Sequence, residues 1–582
     1  MHFIRCKFAG ELDLSDSVLK ELVLDGSKAQ GLSLDGAQIA AGVSAEGDFE
    51  VEGEFSAIGL HLGGELSLRG ATLHNADGTA LNLEGAAIPG NVFLSDGFRS
   101  YGVVVASGAR IGGTLVLVHA TLKGPQRTNQ DRNDPDNDAL AINGAEIAGG
   151  LIADDAFEAQ GRIKASGLKT PAAILLSGAK LRNYGSVALT LDGAEVGDVF
   201  ADKGFDTAGE IRAVGINIRG QLVLTGANLR NRGDDALSLH DAKIAGGLFA
   251  DDLQVDGGVH AHGAEIGLSL QLNRMAVFNA DSISMRFDNA RVHGDTSAIG
   301  LIAFGEVRAA GACFDGQLDL RRADLRNPGN TALTLAHTKI RVLNLQSVRT
   351  VGRLSLHRAE VSDLRTCEYP PGPLIATGWA ISDVHGPLRS EVRGTTVVSG
   401  WSRARDWLLT DPDGVTAQPW KALADAYERN GDPAGGRRLR FEAAKEVTRQ
   451  SPPWSRTVGT AYGLLVGHGY YPRRAAIWLI AVLALSLILV ANAREDFVPV
   501  QQGKSYTAED PCSTHTDYRC FASLSYTIGN VLPTIGSSAS PDWIIAPDAT
   551  LWLASGLPLL KLASWALAAI LVAGVTGLLR KT

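Results

Sequence analysis

The sequence predicts a mainly β fold: a parallel β-helix (solenoid) over residues 1–400, followed by a small helical hairpin and two transmembrane α-helices. Three observations lead to this prediction: an internal repeat of about 48 residues, alternation of apolar and polar residues within each repeat, and two long apolar segments near the C-terminus. Repeats of this length are typical of solenoids, and such alternation is typical of strands.

The repeat is defined by one apolar position that returns at a nearly constant interval, with one longer step between Leu115 and Ile174. These anchors are Leu66, Leu115, Ile174, Leu222, Leu270 and Leu318. A second apolar series keeps nearly the same step and consists of Leu81, Leu140, Leu189, Leu237, Ile283 and Leu333. Both series are expected to point into the solenoid.

Each unit contains short alternating segments closed by Gly-Ala, Arg-Asn or Gly-Gly pairs, which suit tight corners. The unit is therefore expected to form two coils of roughly 22 to 26 residues, whose inward side chains are buried only when coils stack. With coils about 4.8 Å apart, about fifteen of them give a rod on the order of 70 Å long. The longer step contains a polar insert between Lys123 and Asp138, which is expected to be a surface loop.

Charge divides unevenly along the chain. Residues 1–400 carry 36 Lys and Arg against 48 Asp and Glu, a net charge of −12, whereas residues 401–582 carry 18 against 15, a net charge of +3. Binding to phosphate backbones needs clustered cations. The acidic rod therefore predicts no nucleic-acid partner.

Two stripes of charge emerge when the repeats are superposed. One contains Arg182, Arg230 and Arg326, each followed by an asparagine, and is a candidate binding stripe for a protein partner along the rod. The other consists of Glu46, Asp96, Asp154, Asp202 and Asp251. The alternative interpretation is structural: corner asparagines satisfy their own backbone, and corner charges keep the rod soluble.

Residues 401–472 are predicted to form a helical hairpin and a juxtamembrane segment. Asn430-Gly431-Asp432-Pro433 combines a C-terminal glycine, an N-cap aspartate and a proline in the first turn, so one helix ends there and the next begins. The hairpin is similar to a single tetratricopeptide-type unit.

Residues 473–582 are predicted to form a two-span membrane domain, with spans over 473–493 and about 559–579 and an outer loop over 494–558. Basic residues precede the first span and follow the second, so both termini are expected in the cytoplasm. Membrane lipid is then a partner. Ala569, Ala573 and Gly577 recur every four residues, a pattern that favours homo-oligomers through the transmembrane helices.

The outer loop contains two candidate features. Cys512 and Cys520 are expected to form a disulfide, because disulfides persist outside the cytoplasm. The stretch that follows is a candidate pore or re-entrant segment, in which a selectivity filter would be built from backbone carbonyls. Its filter candidates are Thr527, Ile528 and Gly529, or Thr534, Ile535 and Gly536.

No catalytic motif is found in the sequence. Nucleophile-elbow, metalloprotease and phosphate-loop signatures are missing, the 13 histidines are dispersed, and the cysteines have no metal-ligand spacing. The sequence thus predicts no catalytic residue, no cofactor and no metal ligand.

Four motifs carry a resemblance to a known group: Y-E-R-N-G-D from Tyr427, G-H-G-Y-Y-P-R-R-A from Gly467, L-S-Y-T-I-G-N-V-L-P from Leu524 and V-A-G-V-T-G-L-L-R-K from Val572. With the β-helix, they make the chain resemble bacterial membrane-anchored pentapeptide-like β-helix proteins, often labelled membrane-associated oxidoreductase. The label implies redox chemistry. Neither a dinucleotide fingerprint nor an iron–sulfur or haem cysteine spacing accompanies it in this sequence.

Taken together, these features predict a membrane-anchored cytoplasmic β-helical scaffold or sensor that binds a macromolecular partner. Two alternatives are a two-span pore-loop ion channel with a cytoplasmic β-helix regulatory domain, and a membrane-associated oxidoreductase.

Overall fold

The computed structural model of the protein describes residues 1–125, 137–366, 371–388, 391–393, 396–398, 400–412, 414, 416–501, 506–511, 513, 518–533 and 542–575. The chain divides into two compact units. The first comprises Met1–Gly414 with Asp425–Asp432, and the second Val415–Ala424 with Pro433–Thr582.

The first unit is a parallel β-solenoid of about 16 turns, which confirms the predicted fold class. Each turn contributes strands to two parallel sheets. Leu222 lies opposite Leu248 and Leu248 opposite Leu270, so the repeat that runs from Leu222 to Leu270 holds two successive turns. The prediction of two coils in each repeat is therefore also confirmed.

The chain visits four sides of the solenoid in a fixed order, named sides 1 to 4. Side 1 consists of Val18–Leu19, Gln38–Ile39, His61–Leu62, Ala87–Ile88, Arg110–Ile111, Glu146–Ile147, Lys169–Thr170, Glu195–Val196, Asn217–Ile218, Lys243–Ile244, Glu265–Ile266 and Arg291–Val292. Side 2 consists of Leu22–Val23, Val43–Ser44, Leu66–Ser67, Val92–Phe93, Leu115–Val116, Leu151–Ile152, Ile174–Leu175, Val199–Phe200, Leu222–Val223, Leu248–Phe249, Leu270–Gln271 and Thr296–Ser297. In the last turns one strand covers both sides: Cys313–Asp319, Lys339–Asn344, Glu360–Arg365 and Ala380–His385.

Sides 3 and 4 are separate strands in some turns and one merged strand in others. The separate strands are Lys28–Ala29, Glu50–Val51, Thr121–Lys123 and Glu158–Gln160 on side 3, and Glu11–Asp13, Gly31–Ser33, Phe55–Ser56, Asp138–Ala141, Arg162–Lys164 and Leu374–Ile375 on side 4. The merged strands of eleven residues are Thr72–Asn82, Lys180–Thr190, Asn228–Ser238, Ala276–Arg286 and Asp324–Thr334. The merged strands of seven residues are Arg99–Val105, Asp206–Arg212, Gln254–His260, Ile302–Arg308 and Arg349–Ser355.

The core of the solenoid is formed by the predicted anchors. All six anchors of the first series lie on side 2 and are at most 5% exposed. One member of the second series is wrong: Ile283 is only half-buried, and Met285 fills the inward position instead. Met285 is the residue that lies in register with Val259 and Val307 on the neighbouring turns.

Each merged strand of eleven residues contains an outward loop held by one asparagine. Its side-chain amide donates to the carbonyl four residues later, at 2.7–3.0 Å. These asparagines are Asn75, Asn183, Asn231, Asn279 and Asn327. The structural interpretation of the corner asparagines is therefore the one that the hydrogen bonds support.

A glycine of the next turn lies against each of these loops. In the turn after Asn231, Gly257 has φ +139°, and a Cβ there would lie 2.8 Å from the carbonyl oxygens of both Asn231 and Asp234. L-residues avoid that backbone region. The loop and the glycine thus form one unit of packing across two turns.

The last turn of the solenoid is covered by the end of a helix. The Tyr427 hydroxyl, which is buried, donates to the carbonyl of Leu388. The Arg429 guanidinium donates to the carbonyl of Ile381 at 2.6 Å, and the Asn430 amide donates to the Asp383 carboxylate. The contact of Arg429 occupies a carbonyl of the last strand, which an open sheet edge would leave unpaired.

After the solenoid, the part of the chain that the structure describes contains seven α-helices. They are α1 (Trp401–Leu408), α2 (Ala417–Arg429), α3 (Pro433–Gln450), α4 (Pro453–Val466), α5 (Arg473–Asn492), α6 (Ser523–Val531) and α7 (Leu551–Val575). Two 3₁₀ turns, Gly386–Leu388 and Arg494–Asp496, and two antiparallel pairs, Glu391–Arg393 with Thr396–Val398 and Phe497–Pro499 with Trp543–Ile545, complete the fold. The break between α2 and α3 falls at the predicted Asn430-Gly431-Asp432-Pro433 stop.

Two helices of the second unit are long and apolar enough to cross a membrane. They are α5, with mean hydropathy 2.5, and Leu551–Ala573 of α7, with mean hydropathy 1.8. The first matches the predicted span. The second begins earlier than the predicted residue 559 because α7 continues through Pro558, and residues after 575 lie outside the described ones. α5 and α7 pack on each other, and α6 packs on both.

Candidate functional site

The predicted arginine stripe is a real column on side 3. Strand register places Arg182 beside Ala208, Ala208 beside Arg230, and so on through each turn to Arg326. The three arginines therefore lie in line, but with other residues between them.

Each arginine of this column is paired with a carboxylate. Arg182 and Arg230 both contact Asp206, at 2.5 and 2.7 Å, and Arg326 contacts Asp324 at 2.6 Å. Such half-exposed pairs contribute little stability, but they neutralise the charge that a polyanionic partner would need. The column is a ladder of ion pairs rather than a free cationic stripe.

The later part of the same column is apolar and aromatic. Phe278 stacks on Phe304, with ring centroids 5.2 Å apart, and the Arg326 guanidinium lies 5.3 Å from the Phe304 ring centre. Phe278, Ile302 and Val351 are 45%, 39% and 49% exposed. These five residues form a surface across four turns, the Phe278 patch. The sequence pattern identifies only its arginine, because alternation shows which residues point outward but not which of them are in contact.

The acidic stripe lies at the corner after side 2 and is largely structural. The Asp251 carboxylate accepts the backbone N–H of Asn273 on the next turn at 2.8 Å, and Glu46 pairs with Arg69 at 3.2 Å. Burial raises the pKa of Asp154, and the charge of Asp155 adds to the effect. Carboxylates at this corner connect one turn to the next.

A cluster of polar side chains that sequence analysis missed lies at the junction of side 4 and side 1. His260 Nδ1 lies 2.9 Å from Asp235 Oδ1, and the His240 ring centre lies 6.1 Å from that of His260 and 6.3 Å from that of His262. Both of the later histidines follow His240 by about one turn of the solenoid. This spacing of one turn is the signal in the sequence that could have revealed the cluster. Local ligand motifs do not reveal it.

The charges within this cluster favour a carboxylate beside neutral imidazole. The hydrogen bond from His260 holds the pKa of Asp235 below its usual range, against the effect of burial. Burial lowers the pKa of His240; the charge of His260 acts in the same direction, and the Asp235 carboxylate opposes it. Neutral imidazole and ionised carboxylate are the forms that bind metal ions.

A second group of similar composition differs in its charge balance. Ligand atoms of Glu50, Glu52 and His74 lie within 4.8 Å of one another. The Lys28 ammonium bonds to the Glu50 carboxylate and lowers its pKa, and the His74 ring stacks on Tyr101 at 4.8 Å. A lysine cation thus already neutralises one carboxylate of this group.

The second unit has a basic cleft where α3 and α5 begin. It encloses about 320 Å³ and is lined by Ala434, Arg437, Arg438, Tyr470, Tyr471, Pro472 and Arg473. Arg437 and Arg473 are exposed, and neither forms an ion pair with any residue that the structure describes. Arginine forks and helix N-termini both favour anionic oxygens, so the cleft has the chemistry of a phosphate site.

The first filter candidate of the outer loop is helical. Thr527, Ile528 and Gly529 lie within α6; Thr527 is buried and donates to the carbonyl of Ser523 at 2.8 Å, and the Ile528 carbonyl accepts from Leu532. Carbonyls engaged within a helix do not line a filter. Thr534, Ile535 and Gly536 lie outside the described residues.

The predicted disulfide also falls partly outside the described residues. Cys520 takes part in a disulfide, whereas Cys512 is not among the residues that the structure describes. Their pairing stays a prediction. Cys520 precedes an aromatic core formed by Phe497, Phe521, Tyr526 and Trp543, with ring centroids 4.9–5.5 Å apart.

No protein-family model, curated protein or solved structure matches this chain. The resemblance to membrane-anchored pentapeptide-like proteins therefore stays a prediction from its motifs, and the residues described above carry the functional interpretation.

Proposed function

We propose that this chain is a membrane-anchored scaffold of the bacterial inner membrane, whose solenoid lies in the cytoplasm and binds a protein partner. The single observation that supports a membrane anchor is the exposed apolar surface of α5 and α7. Only 17% of each candidate span is buried. A core helix of a soluble protein would bury most of such a surface. We therefore infer that lipid covers the exposed apolar side chains of both helices.

The basic cleft supports the orientation. Arg473 is the first residue of α5, so the cleft lies where the span would leave the hydrocarbon layer. Anionic lipids attract basic residues next to spans, and cytoplasmic ends carry the excess of Lys and Arg. Arg437, Arg438 and Arg473 would then contact lipid phosphates from the cytoplasmic side.

Helix α4 adds a second apolar contact with the interface. Trp454, Val458 and Leu464 are 82%, 56% and 63% exposed, and the helix ends at Val466, shortly before α5 begins. Tryptophan on an apolar helix face is typical of the membrane–water boundary.

The Phe278 patch supports the choice of a protein partner on the solenoid. Aromatic side chains and arginine are enriched where protein interfaces gain most of their binding energy. Among the residues that the structure describes in strands of the solenoid, Tyr184 is the other exposed aromatic residue. The patch is contiguous over four turns, so one partner surface can cover it.

Reporter fusions test the anchor and its orientation. Alkaline phosphatase fused after Thr582 should be inactive, and a reporter that folds only in the cytoplasm should be active at both termini. Active phosphatase at that fusion would contradict the proposed topology.

Photocrosslinking in intact cells tests the binding surface. A crosslinker at Phe304 should give one discrete adduct, which Phe278→Ser should weaken. The matched control is a crosslinker at Asn217, which is exposed on side 1, away from the patch. Equal adducts from both positions, or none from Phe304, would contradict binding at the Phe278 patch.

A further inference from the structure

We propose that Asp235, His240 and His260 form a binding site for one divalent first-row transition metal ion, with Zn²⁺ as the best match. The ligand atoms of all three residues lie within 4.8 Å of one another. Two ligands on one zinc ion are about 3.3 Å apart, because Zn–N and Zn–O distances are about 2.0–2.2 Å. Side-chain rotations that move each atom by about 1 Å therefore close the site.

The His260 ring is already oriented for this role. Its Nδ1 faces Asp235 Oδ1 at 2.9 Å, and its Nε2 is buried with no hydrogen-bond partner in the described structure. In the neutral ring Nε2 is a usual metal ligand, and an Asp235 carboxylate that binds the same ion turns away from Nδ1. A buried, unpaired imidazole nitrogen is costly, and a bound metal ion removes that cost.

Space for an ion is provided by a glycine. A Cβ at Gly258 would lie 2.9 Å from Asp235 Oδ1, 3.2 Å from His260 Nε2 and 3.4 Å from Asn279 Nδ2. The hydrogen of Gly258 thus leaves open the volume that these polar atoms surround. Unlike Gly257, Gly258 has an ordinary φ, so backbone conformation does not require glycine here.

The donor set indicates the class of metal. Two imidazoles and one carboxylate suit zinc and other first-row divalent ions, whereas Mg²⁺ and Ca²⁺ prefer oxygen ligands. Asp235 and His240 belong to one turn and His260 to the next, so the ion would connect two turns. The nearby Arg286 guanidinium is paired with the Asp288 carboxylate at 3.8 Å.

Calorimetric titration of Zn²⁺ into the full-length, detergent-extracted protein without a polyhistidine tag tests the proposal. One equivalent should bind at pH 7, and the unfolding temperature should rise with Zn²⁺, because the ion binds only the folded turns. Absence of binding by the unmodified protein would overturn the proposal.

Variants locate the ion. His240→Ala and His260→Ala should abolish binding, and Gly258→Ala should weaken it by about 10–100-fold, since its Cβ displaces the Asp235 carboxylate without removing a ligand. The matched control is His337→Ala, which alters another pair of neighbouring histidines, His337 and His357, with ring centroids 5.5 Å apart. The assignment would be overturned if Gly258→Ala and His240→Ala bound Zn²⁺ with unchanged affinity. It would also be overturned if His337→Ala lost as much affinity as His240→Ala. Neither outcome depends on whether His260→Ala folds.

Discussion

Leu270→Asp should unfold the solenoid locally, because Leu270 is 1% exposed on side 2 between Leu248 and Thr296. Losing the buried leucine costs about 1.5–3 kcal/mol. An aspartate in that place would have to be protonated, and protonating it at pH 7, about three units above its ordinary pKa, costs about 4 kcal/mol. The sum of roughly 6 kcal/mol is comparable with the whole stability of a small domain.

The matched control is Gln271→Asp, one residue further along the same strand. Gln271 points outward beside Phe249 and Ser297, so the same carboxylate stays in water there and the free energy of unfolding should change by less than about 1 kcal/mol. Limited proteolysis of the detergent-extracted protein, with mapping of the first cleavage, measures both. Equal sensitivity of the two variants would show that the inward side of this strand has been misassigned.

Three further predictions concern other parts of the chain. Non-reducing peptide mapping should find Cys512 bonded to Cys520, a loop closure worth about 2–3 kcal/mol; two free thiols in protein from the oxidising side would contradict it. In thermal melts, Gly257→Ala should lower the unfolding free energy by at least about 2 kcal/mol, because the alanine combines a strained φ with a backbone clash. Gly258→Ala, the control, should leave the unfolding free energy nearly unchanged. Burial raises the pKa of Glu210, so stability is lost as pH rises through that pKa. Glu210→Gln should therefore be more stable than the unmodified protein at pH 7 and equally stable near about pH 4. A stability difference that persists at acid pH would show that burial of the Glu210 charge is not the cause.

The fold class could be predicted from the sequence because the core of a solenoid is periodic. Leu222, Leu270 and Leu318 recur at one fixed interval, and each occupies the same place on side 2. The error at Ile283 has a local cause. The loop held by Asn279 interrupts alternation, so the more apolar isoleucine was chosen over Met285, although Met285 keeps that same interval from Leu237.

The surface sites were much less predictable, because they depend on register between turns. Arg326 was identified by its repeated motif, but its neighbour Phe304 belongs to a turn with a different sequence. His240 and His260 lie on successive turns and carry no local ligand motif. Once the register between successive turns is known, both groups can be found by reading the sequence at the corresponding offsets.

The side 3 column shows how register also limits where a partner can bind. In its first part, Arg182 and Arg230 share Asp206 as their carboxylate, so the surface there satisfies its own charges. In its second part, Phe278 and Phe304 stack on each other and leave apolar area exposed. Desolvating paired charges costs energy that their new contacts barely recover, whereas covering exposed aromatic rings is favourable. A protein that lies along side 3 should therefore gain its affinity at the Phe278 patch and tolerate substitution at Arg182.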